Sequence, residues 1–353
     1  MLSPGSTIGI LGGGQLGRML AQAAATMGYH THIYCPDPDS PAFDVSGKHT
    51  IASYEDSEAL KKFAKEVSVV TYEFENIPVS ELKVIEKSLH PSLDILSTCQ
   101  HRVLEKQALA KLGIPTAPFA PVSSLEELEK AAKKIGFPCI IKTATMGYDG
   151  KGQVFIEDEK SLKSAWRTLD NNNAILEGFV KFHMEASVVV ARDAKGNVSC
   201  YCPVQNIHKN HILDETIAPA PISLTDNIKA EQIARKIAEG MELVGLMAVE
   251  MFMAEDGEIV VNELAPRPHN SGHWTMDACI TSQFEQTIRA VCGLPLGDTS
   301  RLCDAKMKNL IGSDVNDWKK YIEMPNAKLH LYGKKESRPG RKMGHVTFLE
   351  KTP

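Results

Sequence analysis

Two carboxylates stand out because of where the chain must put them. Leu246–Ala254 and Glu258–Glu263 are strand-like runs that flank Glu255-Asp256-Gly257. An Asp-Gly step between such runs signals a hairpin, and a two-residue turn at Asp256 and Gly257 sets Glu250 directly across from Glu263, on the same face. Like charges facing each other destabilise a sheet, and at ~5 Å with an effective dielectric of ~20 the repulsion is about 3 kcal/mol. A hard divalent cation with oxygen ligands, Mg²⁺ above all, would relieve it, and that points to phosphate chemistry.

Other segments carry groups of matching type. Lys142 closes a strand ahead of Gly147, Gly150, Lys151 and Gly152. These glycines lie between two strands, which excludes a Walker A loop, but glycine-rich backbone can still wrap phosphates, with the Lys142 ammonium aimed at the same anion. The plain alternative is an ordinary hairpin with exposed Lys151. Glu177 ends a strand before Gly178-Phe179-Val180, a linker able to offer backbone groups to an adenine edge, and Glu185 could accept from ribose hydroxyls. Asn262-Glu263-Leu-Ala-Pro-Arg267-Pro-His269-Asn270 packs polar groups directly after the second acid. The Arg267 fork suits a carboxylate, bicarbonate or phosphate. Glu73 ends a strand where open α/β sheets bind ligands, while Glu75 or Asn76 suits capping of the helix near Pro78. Arg338, Arg341 and Lys342 around Gly340 look like a clamp for a phosphate monoester. Gly12-x-Gly14-x-x-Gly17 after a strand is the dinucleotide fingerprint, with Asp37 near the position of a ribose-binding acid. It supports a rival NAD-dependent oxidoreductase, which leaves the acidic hairpin and the later glycine loop unexplained.

The elements that must position these groups alternate strand and helix through the first hundred residues: strand 7–11, a helix to Met27, strand 30–35, helix 56–66, strand 67–72 and helix 79–89. This βαβ pattern predicts a parallel sheet with helices on both faces. A second region begins near residue 98, with helix 101–112, a breaker cluster at 113–118, helix 124–135 and strands 138–143 and 153–156. A third has strands 174–177, 185–192 and 198–204, helix 226–243, the acidic hairpin, helix 282–291 and a strand-poor tail over 298–353. At 353 residues the chain exceeds one average domain. Its 43% hydrophobic and 24% charged content is ordinary for a globular protein, and a net charge of −5 argues against general nucleic-acid binding. No apolar run reaches membrane-spanning length and no signal peptide is evident. The 8 cysteines form no Cys-x-x-Cys pair and read as reduced core thiols of a cytoplasmic protein.

Together the segments GGGQLGRML, TYEFENIP, GYDGKGQ, NELAPRPHNSGH and RPGRKMGH resemble the ATP-grasp superfamily. More narrowly, they resemble the N5-carboxyaminoimidazole ribonucleotide synthetase family, the ATPase-type subunit of phosphoribosylaminoimidazole carboxylase in purine biosynthesis. The resemblance implies an α/β and α+β fold of ATP-grasp architecture. Residues 1–97 would form a Rossmann-like substrate-binding domain, 98–174 a small central domain with the glycine-rich ATP loop, and 175–353 a larger mixed-sheet ATP-grasp domain. It implies that ATP, bicarbonate and 5-aminoimidazole ribonucleotide give the N5-carboxylated ribonucleotide, ADP and phosphate, in a cytoplasmic homodimer that needs no nucleic acid or membrane.

Carried over residue by residue, the resemblance assigns ATP contacts to Arg102, Lys142, Gly147, Tyr148, Asp149, Gly150, Lys151, Gly152 and Gln153. It assigns further ATP contacts to Glu177, Gly178, Phe179, Val180, Glu185, His208, Asn262 and Glu263. Mg²⁺ falls to Glu250 and Glu263. Bicarbonate or carboxyphosphate falls to Arg267, His269 and Asn270, and the ribonucleotide to Glu73, Tyr148, Asp149, Arg338, Arg341, Lys342 and Gln15. The chain departs from the family at Ala144, Thr145 and Met146, where a basic residue and a further glycine are common. A further terminal element is also expected beyond Pro353. A formate-dependent glycinamide ribonucleotide transformylase and a non-catalytic nucleotide-binding protein are the remaining alternatives.

Overall fold

The computed structural model describes residues 1–145, 152–170 and 173–350. Near-continuous apolar runs such as Ile8, Ile10 and Leu11 bury on both faces and form a parallel sheet. Its strands are β1 (Thr7–Leu11), β2 (His30–Tyr34), β3 (Lys48–Thr50) and β4 (Val69–Tyr72), in the order β3-β2-β1-β4. Helix Gln15–Thr26 covers one face and helix Ser57–Lys65, through Leu60 and Phe63, the other.

A second sheet takes β5 (Phe119–Val122), β6 (Cys139–Thr143), β7 (Gln153–Ile156) and β8 (Ala174–Gly178), in the order β5-β8-β6-β7. Helix Leu125–Ile135 packs on it, started by a Ser124 cap on Glu127 N–H and ended at Gly136, φ +93°. Because β8 pairs with both β5 and β6, a boundary at residue 174 cuts through a strand, and the small layer runs to Gly178.

The large sheet holds β9 (Phe182–Arg192), β10 (Val198–Cys200), β11 (Val204–Lys209), β12 (Ile212–Ala218), β13 (Gly245–Ala254), β14 (Ile259–Ala265), β15 (Asp304–Ile311), β16 (Ala327–Leu331) and β17 (Lys342–Glu350). Its order is β14-β13-β9-β11-β12-β15-β17-β16, with β10 beside β9. The tail expected to be strand-poor therefore supplies three strands of this sheet. Every ladder in it is antiparallel, and a parallel bridge from Thr116 to Val261 joins it to the segment entering the small sheet. Helix Leu224–Gly240 packs Ala234 and Ile237 against Val188, Val190, Met247 and Val249. Helix Gln283–Val291 packs Phe284, Ile288 and Val291 against helix Gln15–Thr26 and so ties the first layer to the third.

The acidic hairpin pairs Glu250 with Glu263 as expected, but by another route. The turn has three residues, Glu255-Asp256-Gly257, with Gly257 at φ +86° and Ala254 N–H donating to Glu258 O at 2.9 Å. That loop alone would misalign the acids by one residue. A β-bulge compensates: Glu250 pairs with Glu263 and Met251 with Val261, leaving Asn262 as the extra residue. Neighbours satisfy the disturbed backbone. Lys106 Nζ donates to Val261 O (3.3 Å) and Asn262 O (2.8 Å), Leu264 N–H donates to Glu105 Oε1 (2.7 Å), and Val261 N–H donates to Pro115 O (2.9 Å).

Candidate active site

One cleft is lined from all three sheets. Glu75 follows β4; Lys142 and Gln153 come from the small sheet; Glu185, His208, Glu250, Asn262, Glu263 and Lys342 come from the large one. Arg102, from helix Arg102–Lys111, and the loop residues Arg267, His269 and Asn270 complete it.

Each facing acid has a side-chain nitrogen as its partner. Arg102 Nη1 lies 3.2 Å from Glu263 Oε2, and His269 Nε2 lies 3.0 Å from Glu250 Oε1. Burial opposes ionisation of Glu250, but the His269 hydrogen bond and the charges of His269, His208 and Arg267 outweigh it and hold the carboxyl at about 2. His269 Nδ1 lies 2.8 Å from Ser271 Oγ, which holds the ring with Nε2 against the acid. Arg267 Nη2 donates to Glu75 Oε1 at 3.0 Å. Glu75 is therefore not a helix cap: the helix Val79–Leu82 has Pro78 at its cap position and no side-chain cap.

On the nucleotide side, Lys142 Nζ donates to Glu177 Oε2 at 2.8 Å, and Lys106 Nζ lies 4.0 Å from the same oxygen. Burial of Glu177 favours its neutral form, but Lys106 and then Lys142 overcome it and lower its pKa. Glu185 and His208 form an ion pair; burial works against the imidazolium, yet Glu185 raises its pKa. Gly178 N–H donates to Pro118 O (2.8 Å) and Phe179 N–H to Pro138 O (3.2 Å), so neither amide is open to an adenine edge. The Phe179 ring packs edge-on against Phe155 at 5.4 Å, and neither Glu177 nor Val180 lines the cleft. Gly152 takes φ +70° and its carbonyl accepts from Thr143 N–H at 2.8 Å. Gly147, Tyr148, Asp149, Gly150 and Lys151 lie outside the described residues.

The ribonucleotide candidates separate. Lys342 lines the cleft, whereas exposed Arg338 is engaged by the Glu336 carboxylate and Arg341 Nη1 donates to Glu336 O at 2.9 Å. Gln15 opens its helix at the glycine turn and does not line the cleft. That turn is filled from within: Gly14 N–H donates to Glu73 Oε1 at 2.8 Å, and a Cβ on Gly12, at φ +106°, would come within 2.5 Å of the same oxygen. A carboxylate thus occupies the space a dinucleotide pyrophosphate would need, and Asp37 Oδ1 accepts from Asp39 N–H at 3.0 Å in an exposed turn. The dinucleotide reading fails on this geometry.

The donor set fits Mg²⁺. Among the described residues no group of three His, Cys, Asp or Glu side chains could hold a metal ion alone. Two carboxylates in register beside a bulge oxygen match the way this ion binds, through one or two acids with the remaining positions filled by phosphates and water.

Several residues of the site escaped sequence reading. Glu105 and Lys106 follow the expected Arg102 at i+3 and i+4 on one helix face, a spacing present in the sequence, and both grip the bulge. Lys334 Nζ donates to Lys342 O at 2.7 Å; burial, then the Arg341 charge, pushes its ammonium down to about 8. Nothing local marks Lys334, or Gln283 at the start of its helix.

Family models match most of the chain: a ribonucleotide synthetase preATP-grasp domain over residues 5–100, an ATP-grasp domain over 107–284, and a phosphoribosylaminoimidazole carboxylase C-terminal domain over 305–353. The chain is 45% identical to N5-carboxyaminoimidazole ribonucleotide synthase of Bacillus subtilis, covering 99% of this chain and 93% of that one. It is 49% identical over 98% of its length to the bifunctional purine synthesis protein purC/E of Dictyostelium discoideum, and spans 37% of that longer protein. Among solved structures, an ADP complex of N5-carboxyaminoimidazole ribonucleotide synthetase superposes with a TM-score of 0.96 at 45% identity, covering 100% of this chain and 94% of that one. The Aspergillus clavatus enzyme in complex with ADP and 5-aminoimidazole ribonucleotide superposes at 0.93 with 32% identity, covering 99% and 95%.

Proposed function

The chain belongs to the N5-carboxyaminoimidazole ribonucleotide synthase family of ATP-grasp enzymes, and from that premise we propose how its residues share the reaction. The chemistry is an ATP- and Mg²⁺-dependent ligation. Bicarbonate and 5-aminoimidazole ribonucleotide are joined through a new carbon–nitrogen bond, via carboxyphosphate, to give N5-carboxyaminoimidazole ribonucleotide, ADP and phosphate. The observation that carries the reading is the convergence of the Glu250–Glu263 pair with Arg267, His269 and Asn270 in one cleft.

Arg102 and Lys142 face the nucleotide phosphates, each exchanging an internal carboxylate for a phosphate oxygen. Glu185 and His208 flank the ribose. Glu250 and Glu263 would hold Mg²⁺, which would offset the negative charge of the nucleotide phosphates. Arg267 orients bicarbonate with its planar fork, and Asn270 donates to the same anion. One bicarbonate oxygen forms the bond to the γ-phosphorus as the bond to the β,γ-bridging oxygen breaks, releasing ADP. The substrate amine then attacks the carboxyl carbon and phosphate leaves. His269 and Asp149 are the two residues of the set able to take the amine proton. Lys342, with Lys334 beside it, receives the ribonucleotide phosphate.

Two further elements belong to the same proposal. A homodimer is tested by light scattering on the eluted protein. A cytoplasmic setting is supported by cysteines that are all free, and no helix among the described residues is long and apolar enough to cross a membrane. The deciding assay follows ADP release while ATP, Mg²⁺, bicarbonate and aminoimidazole ribonucleotide are omitted one at a time. Full turnover should need all four. Equal turnover with formate and glycinamide ribonucleotide would instead establish the transformylase alternative.

A further inference from the structure

We propose that Gln283 is a positioning residue that fixes the amide orientation of Asn270, so that its NH₂ group rather than its carbonyl meets the bicarbonate oxygens; this rests on the bicarbonate role given to Asn270 above. A backbone N–H can only donate and a backbone carbonyl can only accept. His269 N–H donates to Gln283 Oε1 at 3.0 Å, and Gln283 Nε2 donates to His269 O at 2.8 Å. The Gln283 amide therefore has one allowed orientation. Its Nε2 also lies 3.1 Å from His273 Nδ1, which must accept. A neutral imidazole that accepts at Nδ1 carries its proton on Nε2, and His273 Nε2 lies 3.1 Å from Asn270 Oδ1. The Asn270 oxygen is thus spent on His273, leaving the amide N–H groups for the cleft that Asn270 lines.

The surroundings allow no other arrangement. Gln283 and His273 are fully buried, and burial keeps the imidazole neutral by holding its pKa well below the ordinary range. The His273 ring is stacked between His345, at 4.7 Å, and Phe284, at 5.7 Å. Thr275 Oγ1 accepts from Gln283 N–H at 2.9 Å and donates to Gly272 O at 2.6 Å. A Cβ on Gly272 would overlap the Gln283 carboxamide, so the loop closes on Gln283 only as glycine. With the opposite amide orientation, Asn270 would turn a carbonyl dipole toward an anion.

The test compares His273→Phe, which keeps the stacking but not the relay, with His273→Gln, which can accept from Gln283 and donate to Asn270. Gln283→Met is measured alongside. The readouts are KM for bicarbonate, kcat, and ADP affinity by calorimetry. His273→Phe and Gln283→Met should raise the bicarbonate KM by about ten- to a hundredfold with ADP affinity unchanged, the scale of losing a hydrogen bond to a charged group. His273→Gln should stay close to wild type. If Gln283→Met does not fold, the two His273 variants decide. A wild-type bicarbonate KM in His273→Phe, or equal losses in both His273 variants, would overturn the inference. A wild-type enzyme whose ADP release ignores bicarbonate would instead overturn the reading beneath it.

Discussion

In the turn at Gly12–Gly17 and in the hairpin at Glu250–Glu263, a carboxylate is pressed against tightly bent backbone. Glu73 accepts from Gly14 N–H and fills the hollow that Gly12 leaves. Glu250 and Glu263 instead hold nitrogen-bearing side chains, His269 and Arg102, on the wall of an open cleft. Backbone donors around a half-buried acid cannot rotate away from it without moving the turn itself. Side-chain partners at a cleft can swing off the acid by rotation about their own bonds, with the backbone unchanged. A motif that looks like a binding site is one only if the partners of its charges are exchangeable.

Breaking the exchangeable side should have the largest effect. Glu263→Gln should lower substrate-dependent ADP release by about 10²–10³-fold, the scale of losing one preorganised charge at a reacting centre, with the thermal transition little changed. Unaltered Mg²⁺-dependent turnover would end the metal assignment. Gly12→Ala should do the reverse. A side chain at φ +106° against Glu73 should cost about 1–3 kcal/mol in urea unfolding while ADP affinity stays constant. NADH fluorescence should not change on adding either protein, since Glu73 fills the turn in the parent and still more in the variant. The smallest effect sharpens the comparison at a third charge. The Lys334 ammonium, held at about 8, is protonated below that pH and attracts a phosphate; above it the attraction is lost. The ribonucleotide KM should therefore rise as pH passes about 8, and Lys334→Met should have a high KM with that step absent. A step that persists in Lys334→Met would assign it to another group.

Three strands of the first sheet were legible because they follow from local periodicity, as in Ile8–Leu11, as was the helical run to Met27; β3, three residues long and largely exposed, carries no such pattern and was not read. The tail was not. In β15 the buried face alternates Ala305, Met307 and Asn309, and in β17 His345 and Thr347 are buried, so polar residues hide the period. The acid pair was found although the turn was misjudged, because a longer loop and a bulge shift the register by opposite amounts. Glu75 was read as a cap because its true partner, Arg267, is remote in sequence. Lys106 and Gln283 act on backbone atoms of distant segments, contacts that no local pattern encodes.

The bulge at Asn262 also has a mechanical meaning. Val261 is bonded to Pro115, on the segment leading into the small sheet, where the ladder with β13 changes register. Two residues further on stands Glu263. This stitch ties the chain entering the small sheet to the large sheet two residues ahead of a carboxylate that lines the cleft. The two layers are therefore pinned together beside that carboxylate, as a rivet holds two plates next to the edge that bears the load.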